Sequence, residues 1–147
     1  MRKVVDTSVW ISALLNPDGP PSRVLAALDS GRFVHICSEP LLAELVGVLS
    51  RPRIARKYRI GPAAGLDLAA RLRRRSVLVV PTGTLRLCRD PGDDVVIETA
   101  ALGGADTLVS RDDDLKGDQL LIQILAAGGV EVLTVRHFLM VLDLQDL

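Results

Sequence analysis

The chain has 147 residues, of which 48% are hydrophobic and 24% charged, with a formal net charge of zero; that suffices for one core and is short for two, so a single domain over residues 1–147 is expected. No run approaches the roughly 20 apolar residues that cross a bilayer, no signal-peptide core follows Arg2-Lys3, and Cys37, Cys88, His35 and His137 show neither disulfide nor zinc spacing. The expectation is a soluble, cytoplasmic protein with no membrane partner, and with 3% aromatic residues base stacking cannot be its main device.

In chain order, Lys3-Val4-Val5-Asp6-Thr7-Ser8 reads as a buried parallel strand that ends in a polar site, since ligands of open α/β sheets collect where strands finish. A short helix from Val9 to Leu15 stops at Asn16-Pro17-Asp18-Gly19-Pro20-Pro21, and Ser22 is expected to cap a second helix ending before Gly31. Phe33–Cys37 is the second strand. Ser38 should cap a third helix with Leu41, Leu42, Leu45, Val48 and Leu49 as its apolar stripe and Glu44 beside it. A helical piece reaches Ile60, another runs from Gly61-Pro62 to Arg75, and Val77–Val80 is the third strand. After Arg89-Asp90-Pro91-Gly92-Asp93-Asp94 comes a buried helix to Leu102 with acids at its N-terminus, where the helix dipole favours them. Strand Asp106–Ser110, helix Leu120–Ala127, strand Val130–Val135 and helix His137–Leu142 complete the chain. The alternation predicts a parallel sheet of about five strands with helices on both faces.

The zero net charge conceals a segregation. Nine Lys or Arg lie between Arg51 and Arg75 against one acid, Asp67, and nine acids lie between Asp90 and Asp118 against Arg111 and Lys116. A basic arm beside an acidic pocket suits an enzyme that grips a polyanion and needs cations, with Arg51, Arg53, Arg71, Arg73, Arg74 and Arg75 as candidate nucleic-acid contacts. Solvated faces are the plainer reading of the same pattern. Asp6, Asp93-Asp94 and Asp112 all fall at the carboxyl edge of a parallel sheet, and Glu44 would have to reach it from its helix. Carboxylates converging to ~5 Å repel by roughly 3 kcal/mol per pair at an effective dielectric of about 20. A divalent cation removes that cost, and an all-oxygen set without His or Cys suits Mg²⁺ or Mn²⁺.

Val5-Asp6-Thr7-Ser8, Ser38-Glu39-Pro40-Leu41-Leu42-Ala43-Glu44-Leu45 with Leu49-Ser50-Arg51-Pro52, Asp90-Pro91-Gly92-Asp93-Asp94 and Leu108-Val109-Ser110-Arg111-Asp112, in that order and spacing, resemble a PIN domain. The subgroup they resemble is the one of toxin components of toxin–antitoxin systems, related to VapC toxins. The resemblance implies a three-layer αβα sandwich and Mg²⁺- or Mn²⁺-dependent cleavage of RNA. It carries the family's acidic quartet onto Asp6, Glu44, Asp93 and Asp112, and its supporting hydroxyls onto Ser8 and Ser110. Because Asp93 and Asp94 adjoin, and Asp114 follows Asp112 closely, Asp94 and Asp114 stay in the candidate ligand set; Asp93 and Asp112 are preferred. The resemblance also implies a small antitoxin partner and a homodimer, for which the helices around Leu41 and Leu66 offer surfaces. The segment 116–129 is longer and more helical than the family's turn, so no substrate or dimer feature is borrowed there.

Two rival functions stay open, a catalytically idle PIN-type module for RNA binding or assembly and a DNA-directed nuclease, since carboxylate–metal chemistry does not itself distinguish the sugar. A haloacid-dehalogenase-like phosphatase would need an acid where Ser8 stands. His35 and His137 are read as packing or surface residues, and Trp10 as core or dimer contact.

Overall fold

The computed structural model of the chain describes residues 1–111 and 119–147. Strands β1 (Arg2–Val5), β2 (Val34–Cys37), β3 (Ser76–Leu78), β4 (Thr107–Ser110) and β5 (Glu131–Thr134) form one sheet in the order β3-β2-β1-β4-β5. Every pairing is parallel. The described helices are α1 (Thr7–Leu15), α2 (Pro20–Asp29), α3 (Glu39–Leu49), α4 (Pro52–Tyr58), α5 (Ala64–Arg75), α6 (Pro91–Gly103), α7 (Gln119–Ala127) and α8 (Val135–Gln145).

The crossovers from β1 through β3 step one way across the sheet and those from β3 through β5 step back. Right-handed connections therefore put α1–α5 on one face and α6 and α7 on the other. The packing of α1 on α2, of α2 on α8 and of α6 on α7 agrees, and the result is the αβα sandwich the sequence predicts. Central strands β1 and β4 are covered on both faces, which is why Val4-Val5 and Leu108-Val109 are continuous apolar runs with at most 2% exposure. The few aromatic residues mostly work in this core. Phe33 meets Phe138 edge to face with centroids 5.0 Å apart, and Trp10 meets the His35 ring at 5.2 Å. None of the described helices is long and apolar enough to cross a membrane.

Helix α6 descends from the carboxyl edge to feed β4, and it lies very close to the sheet. A Cβ at Gly103 would stand 2.1 Å from the Ile36 Cγ2, so only glycine permits that approach. Gly104 then ends the helix in the left-handed conformation (φ 63°). Because the C-terminus of α6 is pinned there, its acidic N-terminus is left at the carboxyl edge.

Several local expectations are corrected. Helix α2 starts at Pro20 after Gly19 rather than at a Ser22 cap, because two prolines fit the first turn where no N–H is needed; the Ser22 hydroxyl donates to the Gly19 carbonyl at 2.7 Å. Ser38 stands at the N-cap of α3 but makes no side-chain cap; its hydroxyl meets that of Thr99 on α6 at 2.9 Å, a buried tie between the two layers. Helix α6 starts at Pro91 with Asp90 as cap, earlier than the apolar run suggests. Strand β3 ends at Leu78, although the Val79 amide still donates to the Cys37 carbonyl at 2.9 Å. Helix α8 is longer than expected, with Thr134 accepting from the His137 amide as its cap. Of the two residues that mark the helices expected at a dimer surface, Leu41 itself is core, at 3% exposure, and Leu66 is 61% exposed.

Candidate active site

The strand order reverses between β1 and β4, which is where open parallel sheets leave a crevice at their carboxyl edge. The Asp6 amide donates to the Val109 carbonyl at 2.9 Å, so Asp6 leaves β1 directly beside Ser110. The Ser110 hydroxyl, on a residue 3% exposed, donates to Asp6 Oδ2 at 3.3 Å, while Oδ1 accepts from the Ser8 amide at 3.4 Å. Asp6 is thus also the N-cap of α1. Cap and site roles coexist in one carboxylate, and both sequence-predicted supporting serines touch it, Ser110 by its side chain and Ser8 by its backbone.

Glu44 comes to the same place from the other direction. As a residue it is solvent-accessible, yet its carboxyl lies in range of buried Thr7 and of the charges of Asp6 and Asp90; the Thr7 hydroxyl itself donates to Asp6 Oδ1 at 3.5 Å. Its pKa is raised, first by loss of hydration and then by repulsion from Asp6, with Asp90 adding to both; Thr7 and Arg51 pull the other way. The packing of α1 on α3 produces this convergence.

At the head of α6 the three acids have different environments. Asp90 is exposed and its Oδ1 accepts from the Gly92 amide at 2.8 Å. Asp93 is half-buried. Asp94 is only 4% exposed, and its Oδ1 accepts from the amides of Leu87 and Cys88 at 2.9 and 2.8 Å. Its Oδ2 is buried with no hydrogen-bond partner among the described residues. Asp112 and Asp114 lie outside the described residues, and β4 brings the chain to this edge just ahead of them.

Among the described residues no three His, Cys, Asp or Glu side chains are gathered tightly enough to hold one ion. The donor chemistry nevertheless fits a hard divalent cation, because two mutually repelling carboxylates, Asp6 and Glu44, are held by hydroxyl and amide donors at a strand-end crevice. Neither histidine belongs to this set: His35 is buried within β2, and His137 is exposed on α8.

The candidate arginines separate in space. Arg75 immediately precedes Ser76, which pairs with His35, so the end of α5 lies toward the amino edge of the sheet. There Arg71 and Arg75 pair with Asp29, whereas Arg73 reaches up to Glu39, the first residue of α3 just past the carboxyl end of β2, through two hydrogen bonds of 2.7 and 3.0 Å. Arg74 is exposed and has no ion pair among the described residues. Arg51, by contrast, is near enough to Glu44 to act on it, and Arg53 follows on α4. The basic arm of the sequence therefore differs along its length in which anions already face its charges. The sequence reading also passed over Asp90 as a neighbour of Glu44, although an Asp directly before a Pro is the signature of an N-cap with Pro at the first helical position.

Residues 2–114 match a family model described as PIN domain. The chain is also similar to "Uncharacterized protein MJ1680" of Methanocaldococcus jannaschii, 30% identical over 115 residues that span 78% of this chain and 73% of that protein. No solved structure matches the chain significantly. PIN domains are generally nucleases that usually bind divalent metals, and by this match over most of its length the chain belongs to the PIN domain family.

Proposed function

We propose that residues 1–147 act as one PIN-like domain whose activity is divalent-cation-dependent endonucleolytic cleavage of RNA. The observation that carries this reading is the convergence of Asp6 and Glu44 at the crevice where the strand order reverses, close enough for each charge to work against the other. Asp6, Glu44, Asp93 and Asp112 are the residues proposed to hold Mg²⁺ or Mn²⁺, with Asp114 as the alternative to Asp112. Such an ion, when bound, lowers the pKa of a water and offsets charge on a phosphate and its leaving oxygen.

The chain's own groups do the rest. Ser110, the Ser8 amide and the Thr7 hydroxyl fix the Asp6 carboxylate, and Thr7 also favours the charged form of Glu44. Arg51 supplies cationic charge near Glu44, and Arg53 follows it on α4; both suit phosphates. The resemblance of the acidic motifs to toxin components extends the proposal to a cytoplasmic toxin restrained by a small antitoxin protein. A homodimer is proposed through the exposed rim at Leu66, beside a groove of about 400 Å³ lined also by Leu42, Ala43, Val46 and Gly47.

Incubating the purified chain with single-stranded RNA and with DNA of the same sequence, with EDTA, Mg²⁺ or Mn²⁺, tests this. RNA cleavage that needs the ion and is lost by at least about a hundredfold in Asp6→Asn is expected, since a neutral amide is a poor ligand for a hard cation. Cleavage of DNA alone would move the assignment to a DNA-directed nuclease. RNA binding without cleavage under every ion condition would make the chain an idle module.

A further inference from the structure

The stretch between β3 and α6 follows the side of α6 and is fastened to it at two points, one helical turn apart. Glu98 accepts from the consecutive amides of Thr82 and Gly83, the second at 3.3 Å. Asp94, four residues earlier and so on the same helical stripe, accepts from the consecutive amides of Leu87 and Cys88 at 2.9 and 2.8 Å. In both places a carboxylate collects two successive backbone N–H groups, an arrangement stronger than neutral hydrogen bonds. Two residues beyond the second fastening comes Asp90, held on its other side as the cap of α6 through Gly92 and lying within charge range of Glu44.

We propose that Asp94 is a positioning residue and not a cation ligand: with Glu98 it staples residues 82–88 along α6 and so sets where Asp90 and the first turn of α6 stand against Glu44. This rests on the cation-dependent reading above. The buried Oδ2 of Asp94, without a partner among the described residues, is the one feature a ligand role would share. A ligand of a catalytic ion must border the space that substrate enters, however, and Asp94 is 4% exposed with its other oxygen taken by two amides. The cation-facing acid of this turn is then Asp93.

The two roles diverge on what asparagine does. Asn keeps the oxygen that receives the Leu87 and Cys88 amides at nearly the same shape, and removes the anionic ligand. Hydrogen exchange of the full chain, read at the amides of Thr82, Gly83, Leu87 and Cys88, and the Mg²⁺-induced shift in Tm are measured in wild type, Asp94→Asn, Asp94→Ala, Asp93→Asn and Glu98→Ala. The proposal expects protection at Leu87 and Cys88 in wild type and in Asp94→Asn, with the Mg²⁺ shift intact in both. Asp94→Ala speeds exchange there at least tenfold and shrinks the shift, and Asp93→Asn keeps the protection and loses the shift. Glu98→Ala, near the surface and safe for folding, speeds exchange at Thr82 and Gly83. Loss of the Mg²⁺ shift in Asp94→Asn with protection intact would make Asp94 a ligand and overturn the proposal. Unprotected Leu87 and Cys88 amides in wild type would overturn it without any variant. If wild type shows the protection but no Mg²⁺ shift, the staple stands and the cation-dependent reading fails.

Discussion

The two edges of the same strand pair treat their acids in opposite ways. At the amino edge of β1 and β4, Asp106 receives the Lys3 ammonium at 2.6 Å, the Thr107 hydroxyl at 2.7 Å and the Arg2 amide at 3.4 Å. Burial pushes its pKa up, but Lys3 and Thr107 together outweigh that and hold it below the usual value. At the carboxyl edge Glu44 is pushed the other way by lost hydration and by Asp6. One edge uses an acid to hold the sheet together; the other keeps acids in mutual opposition. Proteins tolerate such opposition where a ligand relieves it, so the contrast itself separates a structural acid from a candidate functional one.

The largest expected effect of this contrast is on stability against pH. His35 lies in the same register row as Lys3 and Ser76, and its Nδ1 meets the Ser76 hydroxyl at 2.6 Å. That hydroxyl donates to the Leu72 carbonyl, so Nδ1 carries the proton of a neutral ring. Burial lowers the His35 pKa to about 3. The unfolded chain therefore binds a proton between pH 6.5 and 3 that the folded chain does not, and stability falls as pH drops through that window, by roughly 5 kcal/mol in all. Glu44, with its raised pKa, works in reverse: its penalty is full above its folded pKa and gone below its unfolded one, so acid relieves it. Urea unfolding from pH 7 to pH 4 should give a falling curve for wild type and a much flatter one for His35→Asn. Parallel slopes would show that His35 is not the group that makes the amino edge acid-sensitive.

A smaller effect, of opposite sign at the two edges, is expected from one chemical change made twice. Asp106→Asn leaves the Lys3 ammonium, whose side chain is only 8% exposed, without its anion and should cost on the order of 1–3 kcal/mol at pH 7. Half the Asp106 side chain faces water, which favours the low end of that range. Asp6→Asn keeps a competent helix cap, removes the repulsion on Glu44, and should raise the metal-free stability by about 1 kcal/mol. Chemical denaturation in EDTA measures both. A destabilised Asp6→Asn would mean that Asp6 serves α1 more than any ion, and the distinction between the edges would fail.

Much of this is legible in the sequence alone. An apolar pair running into Asp6-Thr7-Ser8 is a local pattern, and so is the strand–helix alternation that sets the sheet and its carboxyl edge. What was not legible depends on partners distant in sequence. Asp93 and Asp94 differ because adjacent helical residues point about 100° apart, but which one faces inward was decided by the amides of Leu87 and Cys88, in a stretch with no periodicity to read. Lys3 looks like a charged N-terminal residue and proves to be 7% exposed, because Asp106, just ahead of β4 and distant in sequence, stands beside it. The run of arginines in α5 reads as a free basic face only while Asp29 and Glu39 are out of view.

That last point gives the smallest and most specific prediction. Arg71, Arg73 and Arg75 already have carboxylate partners, so moving them to a phosphate exchanges one anion for another with little gain. Arg51 acts on Glu44 at the carboxyl edge, and with Arg53 it is better placed to add phosphate contacts. In an Asp6→Asn background that prevents cleavage, binding of single-stranded RNA should fall roughly linearly in log–log form with salt, each phosphate contact contributing about 0.7 to the slope. Arg51→Ala with Arg53→Ala should reduce that slope by about 1.4, whereas Arg73→Ala with Arg75→Ala should leave it within a few tenths. Arg74→Ala separates the one α5 arginine of the candidate set that has no partner among the described residues. If the α5 pair carries the slope and the α3–α4 pair does not, RNA lies along α5 toward the amino edge, and the charge-compensated edge of the sheet would be the one that meets the substrate.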